Sequence, residues 1–305
     1  MNYLSNYIVL FLLFCQLFLS GQTAIFYDRN DRDVYLNPSN AISHKKSSIG
    51  VRYQNDYPDI DNSFNTYLGE INWKINSKNG LNFQVLSDFM STNQSINSCQ
   101  VTYAKRLFIK QFDVGIGLGI KYFMYNVNLS SILVSDPSEP GTQHTIKNID
   151  LPFGTYLKYN FKGLDSLHVS YAKVGFLVNY PLKPDITTII SGISIKNTIL
   201  GCSGTYSKYW GFQNDQFLTD LSITFLKSSN FVFYQIGSEH GFLSKDLLRD
   251  IGFNFDYYSN QTLGLGVHYE VANIRAKISR GIELPSFSEK LPNPYYLISV
   301  HYSFK

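Results

Sequence analysis

Few side chains in this sequence stand at spacings that could do covalent or metal chemistry. The six histidines, His44, His144, His168, His240, His268 and His301, lack the His-x-x-x-His spacing that aims two imidazoles from one helical face with a Glu beside them. Gly115-x-Gly-x-Gly119 has small residues suited to a phosphate loop. Its spacing is not Gly-x-Gly-x-x-Gly, and no helix follows to hold an anion at its N-terminus. Ser238-Glu239-His240 places nucleophile, acid and base side by side, but neighbours on a strand point to opposite faces and cannot form a triad directly. Cys99 and Cys202 have no Cys-x-x-Cys partner and no base nearby in sequence. These residues point away from an enzyme, and no cofactor or metal is expected. An embedded lipase drawing its triad from separate strands is the one catalytic alternative.

The charged residues do follow a rule. In Gln111 to Tyr125, the even positions Phe112, Val114, Ile116, Leu118, Ile120, Tyr122 and Met124 are apolar, whereas the odd positions carry Asp113, Gly115, Gly117, Gly119 and Lys121. That is the period of a strand. The same alternation sets Glu70 and Lys74 against Ile71, Trp73 and Ile75, Asp256 against Phe253, Phe255 and Tyr257, and Glu270 against Leu265, Val267, Tyr269 and Val271. A face of glycine and charge makes a poor soluble core. It suits a barrel with an apolar side toward lipid and a polar side toward a lumen, because a Lys or Arg at the lipid midplane would cost about 2–4 kcal/mol. Glu70, Lys74, Asp113, Lys121 and Glu270 are therefore expected to face the lumen, and Cys99, in phase with Val101 and Tyr103, to face lipid.

Composition agrees with strands. The chain has 305 residues, with 23 Tyr, 23 Phe and 2 Trp making 16% aromatic content, against 16% charged residues. Flat rings suit pleated, half-buried surfaces and the girdles of a membrane barrel. A mean hydropathy of -0.12 is too polar for a bundle of membrane helices, and no stretch after residue 21 is long and apolar enough to be one. A net charge of +3 is too small to mark a nucleic-acid partner. The expected fold is all-β, a transmembrane antiparallel barrel of roughly 12 to 16 strands, with 14 the leading value among even-numbered barrels.

Domain organisation follows from the two ends. Ile8 to Leu19 is an apolar run followed by Ser20-Gly21 and then by the charged stretch Asp28 to Asp33, the pattern of a signal peptide cleaved after Gly21. Residues 1–21 are read as the signal, 22–46 as a periplasmic lead-in and 47–305 as the barrel. Turn-rich segments at 55–62, 91–94, 126–148, 180–185, 209–216 and 284–294 are read as loops. With both termini in the periplasm, 126–148 would be extracellular. The final strand from Tyr295 to Lys305 alternates in aromatics and places Phe304 next to last, resembling the C-terminal signal of outer-membrane barrels.

Tyr35-Leu36-Asn37-Pro38 with Ala41, then Val51-Arg52-Tyr53-Gln54 with Tyr57-Pro58, Ser87-Asp88, Tyr103-Ala104 and the glycine-rich strand at 115–119 occur in an order and spacing that resemble the PorP/SprF family of the Bacteroidetes type IX secretion system. The resemblance runs from about Tyr35 to Asp136. The chain departs from it in lacking a Gly after the Asn-Pro-x-x-Ala element and in having Tyr57 where Trp is usual. The resemblance implies an outer-membrane protein of a Gram-negative bacterium acting in protein export or gliding. Its implied partners are outer-membrane lipid, the periplasmic ring or peptidoglycan-linked components of the machinery, and a large secreted adhesin. Asn37, Pro38, Arg52, Gln54 and Pro58 are the matching signature residues, with structural roles. A porin-like transport barrel is the alternative.

Overall fold

The structure is a computed structural model that describes residues 35–43, 46–58, 64–91, 94–128, 143–161, 170–179, 198–212, 215–228, 232–244, 249–259, 262–283 and 295–304. The stretch read as a signal peptide, 1–21, and the Asp28–Asp33 stretch lie outside these residues. A short 3-10 helix, Pro38–Ile42, precedes β1 (Ser47–Asp56), β2 (Phe64–Lys74), β3 (Asn79–Ser91), β4 (Gln94–Ile109) and β5 (Phe112–Asn128). There follow β6 (Gln143–Asp150), β7 (Phe153–Asn160), β8 (Tyr171–Asn179), β9 (Ile199–Phe212) and β10 (Asp215–Lys227). The last five are β11 (Val232–Ser244), β12 (Arg249–Tyr258), β13 (Thr262–Val271), β14 (Ile274–Glu283) and β15 (Tyr295–Phe304).

Strands adjacent in sequence pair antiparallel, apart from the β6–β7 step, and β1 closes on β15 in a register from Ser47↔Phe304 to Asp56↔Tyr295. β6 and β7 both pair with β5, one above the other, separated by Leu151-Pro152. Pro152 has no N–H for the ladder, but its carbonyl accepts from the Gly119 N–H at 2.8 Å. Counting β6 and β7 as one stave gives the closed 14-strand antiparallel barrel.

Outward-facing residues are apolar: Val51, Ile120, Val267 and Ile278 are each about 60% exposed. The six-residue zigzag of Phe112, Val114, Ile116, Leu118, Ile120 and Tyr122 lies on that side, while Asp113, Gly115, Gly117, Gly119 and Lys121 are buried inside. Near the end of the barrel that holds both termini, Phe112, Tyr159, Phe161 and Tyr206 form a chain of outward rings with centroids 5.2, 5.2 and 6.0 Å apart. Lys208 lies 3.6 Å from the Trp210 ring at the same level, a cation resting on an aromatic where the wall meets water. Cys99 and Cys202 are free thiols exposed on this outer face.

The connections at the terminus end include the tight turns at Lys110-Gln111 and Ala272-Asn273, where Lys110 and Ala272 take the left-handed φ values of 55° and 54° that close two-residue hairpins. One segment read as a loop is shorter than expected. β5 continues to Asn128 and β6 starts at Gln143, inside the 126–148 stretch. The outer face there is polar, with Asn126 donating to Ser95 at 3.4 Å and accepting from Thr145 at 3.0 Å, so the ladder persists where the apolar alternation has stopped. Strands β9 and β10 likewise extend into 209–216.

Candidate functional site in the lumen

Fourteen staves enclose more space than wall side chains fill, since eight already suffice to hold a filled interior. Here the chain before β1 occupies part of that space. Tyr35 to Ile42 is buried throughout, and the 3-10 helix packs on β2, β3, β4, β5 and β7. Of the segment read as a lead-in, 22–46, these described residues lie within the barrel wall.

Asn37 fixes the turn. Its Oδ1 accepts from the Ser39 N–H at 3.1 Å and from Ser39 Oγ at 2.6 Å, capping the helix. Its Nδ2 donates to the Thr155 carbonyl at 3.3 Å and the Phe176 carbonyl at 3.4 Å, on β7 and β8. Pro38 opens the helix, where a missing N–H is no loss. Leu36 offers its carbonyl to Asn179 at 3.1 Å. Two lysines complete the seat: Lys121 donates to the Tyr35 hydroxyl at 3.0 Å, and Lys173 donates to Asn40 Oδ1 at 2.6 Å.

This packing explains the glycines. A Cβ on Gly117 would lie 2.3 Å from the Pro38 carbonyl carbon and the Ser39 nitrogen, and one on Gly154 would lie 2.0 Å from Asn37 Oδ1. The plug backbone therefore rests directly on strand backbone, which only glycine permits. Of the Gly-x-Gly run read above as the small residues of a lumen face, Gly117 is the floor of this seat, whereas Gly115 makes room for the Tyr156 ring and Gly119 lies against Thr102 and Pro152.

Toward the loop end, the lumen is crossed by apolar side chains. Leu68, Leu86, Leu177, Ile199, Leu226, Phe233, Tyr258, Tyr295 and Leu297 join Tyr35 and Leu36 in one buried cluster. These residues come from staves all round the barrel. Tyr258 and Tyr295 pack edge to face at 6.0 Å with their hydroxyls 3.1 Å apart.

Below this layer the lumen is polar. Arg52 and Glu70, each with a side chain 1% exposed, pair at 2.6 Å, and His301 Nδ1 lies 3.7 Å from the same carboxylate oxygen. Level with the apolar layer, at the loop end of β1, Gln54 donates to both oxygens of Asp56, at 3.0 and 3.2 Å. Asp113 accepts from Arg106 Nε at 2.8 Å and from the Tyr156 hydroxyl at 3.2 Å. On β11 to β14, Glu239 takes Arg275 at 2.8 Å and Lys277 at 4.0 Å, while His268 lies 3.8 Å from Glu239 and 3.5 Å from Asp250. Low dielectric makes such pairs strongly interdependent.

The residues singled out in sequence thus fall in different places. Asn37 and Pro38 are the plug turn; Arg52 and Gln54 are buried on the inner face of β1; Pro58 is half-buried in the turn beyond it. Glu70, Asp113 and Lys121 are buried, whereas Lys74 and Glu270 are half-buried at the terminus end of the same inner face. Glu239 is buried in the lumen while Ser238 and His240 take the alternate phase, with His240 stacked on Phe217 at 5.9 Å, so the three do not converge. Among the described residues, no group of His, Cys, Asp and Glu could hold a metal ion. Sequence reading missed Lys173, Asn179, Arg275 and Lys277, whose partners lie far away in the chain. The cluster of lumen-side glycines was the available signal for the plug.

A family profile described as type IX secretion system membrane protein PorP/SprF matches residues 26–284. No curated protein matches the sequence. Solved structures with a similar fold include CdiB from Acinetobacter baumannii, at 8% identity and TM-score 0.45, covering 86% of this chain but 60% of that one. A Pseudomonas aeruginosa FadL homologue has 11% identity and TM-score 0.47 over 90% of this chain and 94% of its own. The CymD monoaromatic hydrocarbon channel has 10% identity and TM-score 0.49 over 93% and 95%.

Proposed function

The chain belongs to the PorP/SprF family of type IX secretion system membrane proteins, and from that premise we propose that its outer-membrane barrel works as a docking component of the secretion or gliding machinery, not as a passage for solutes. In this reading it supports export or anchoring of a large surface adhesin. Its partners are ring or peptidoglycan-linked components at the terminus end, and the adhesin or its anchor at the loop end. No residue is assigned a catalytic role.

One observation carries the reading: the lumen is occupied by Tyr35 to Ile42 and crossed by an apolar layer. A solute channel needs continuous polar walls around open water, and here buried Leu and Tyr side chains interrupt the polar wall. Purified protein in a planar bilayer is expected to give no steady current. A steady open-pore conductance would overturn the proposal in favour of a porin-like barrel. Deleting the gene should lower the amount of adhesin at the cell surface while leaving general permeability to small hydrophilic antibiotics unchanged.

A further inference from the structure

The stave made of β6 and β7 is paired differently along its length. β7 has β5 on one side and β8 on the other. β6, above it toward the loop end, has β5 on one side, and among the described residues no strand lies on its other side. The reason is height. β8 ends at Asn179, one residue past the Val178↔Phe153 pair, so it stops level with Gly119 of β5, whereas β6 covers β5 from Lys121 to Asn128.

Two hydrogen bonds fix which backbone groups line this edge. The Gly119 N–H points to the β6–β7 stave, where it meets the Pro152 carbonyl at 2.8 Å. By alternation, Lys121, Phe123, Tyr125 and Val127 turn their N–H and C=O groups the same way, and their register partners Asp150, Asn148, Ile146 and His144 complete that ladder. Ile149, Lys147 and Thr145 therefore turn theirs away from β5, along the open edge. Ile149 shows it directly, since its N–H is taken by the Asn148 side-chain oxygen at 2.7 Å and not by a strand. The surroundings of the edge are polar. Thr145 and Lys147 are exposed on the outer face, with Asn126 and Ser95 beside Thr145, above the outward apolar residues Tyr122 and Ile149.

An open edge is a template for another strand, and an outward Lys is a usual guard against indiscriminate pairing. The same Lys selects, because an added strand meets it best with a carboxylate directly opposite. We propose that the open edge of β6 is a strand-addition site that takes an extended segment of the exported partner, with an acidic residue set against Lys147. The proposal rests on reading the loop end as the docking end. Main-chain bonds to Thr145 and Lys147 hold the segment, and its side chains alternate between the outer face and the mouth of the lumen.

Hydrogen exchange reads the edge without mutation. In the purified full-length barrel in detergent, the Thr145 and Lys147 amides are expected to exchange about a hundredfold faster than those of Ile146 and Asn148, which bond to β5. In native outer membranes from exporting cells, the two fast amides are expected to slow about tenfold. Protection already present in the purified barrel overturns the proposal, because this chain or a second copy then covers the edge, and so does unchanged fast exchange in native membranes. A pair of variants separates backbone from side chain. Lys147→Pro removes the edge N–H and leaves the bonds to β5, whereas Lys147→Ala keeps that N–H. With the barrel folded, as read by its heat-dependent gel mobility, Lys147→Pro is expected to lower surface adhesin about tenfold and Lys147→Ala about threefold. Equal loss in the two variants, or no loss in either, overturns the edge site. Deleting the whole gene without loss of surface adhesin refutes the docking function instead.

Discussion

The two sides of the lumen are organised by different physics. On the near side, β3 to β8, glycines at 117 and 154 bring plug backbone onto strand backbone, and amide and lysine groups finish the hydrogen bonds. On the other side, β11 round to β1 with Glu70 of the neighbouring β2, the wall's own long charged side chains pair with one another, Arg52–Glu70 and the Arg275–Glu239–Lys277 set. Shape complementarity tolerates no added atom but is indifferent to salt and pH. Charge complementarity tolerates changes of shape and fails when one partner is removed.

The largest expected effect is on the charged side. Glu70→Ala leaves the Arg52 guanidinium in a closed lumen without its carboxylate, and a broken buried pair costs about 3–5 kcal/mol. The urea midpoint of the detergent-folded barrel should fall accordingly, and Arg52→Met in the same chain should recover much of it. No recovery in the double variant would mean that the pair matters for shape and not for charge.

Next comes the glycine side. Gly117→Ala places a methyl 2.3 Å from plug backbone, and overpacking of this kind costs about 1–3 kcal/mol. Raising salt should not change that loss. Asn37→Ala removes the cap and both bonds to strand carbonyls, for about 1 kcal/mol, and should also loosen the plug as read by hydrogen exchange at Ser39 and Asn40. The smallest effect is a control outside both regions. Gly69 has nothing within 4 Å of an added Cβ, so Gly69→Ala should be neutral or gain about 0.5 kcal/mol. A large loss there would show that strand glycines matter for the wall itself and not for the plug.

Much of the barrel was legible from alternation. Asp113, Gly115, Gly117, Gly119 and Lys121 against Ile116, Leu118 and Ile120 needed no tertiary information, because a lipid wall forces one apolar face on each strand. Alternation fails where that force stops. The ends of β5 and β6 rise past the apolar zone and carry Asn126, Thr145 and Lys147 outward, so they read as loop. The plug was also hidden, since a buried turn held by Asn37 has the composition of any polar lead-in.

By itself, the sequence determined an apolar exterior, a polar interior, strands of suitable length and their approximate number, since each depends on residues two apart. The tertiary structure alone decided that Tyr35 to Ile42 occupies part of the lumen, that Arg52 finds Glu70, and that Leu68, Leu226 and Tyr295 meet across it. Those contacts join residues tens to hundreds of positions apart. Arg52 and Glu70 meet across the β1–β2 hairpin, whereas the contacts across the lumen need closure of β1 on β15, and no local periodicity encodes closure.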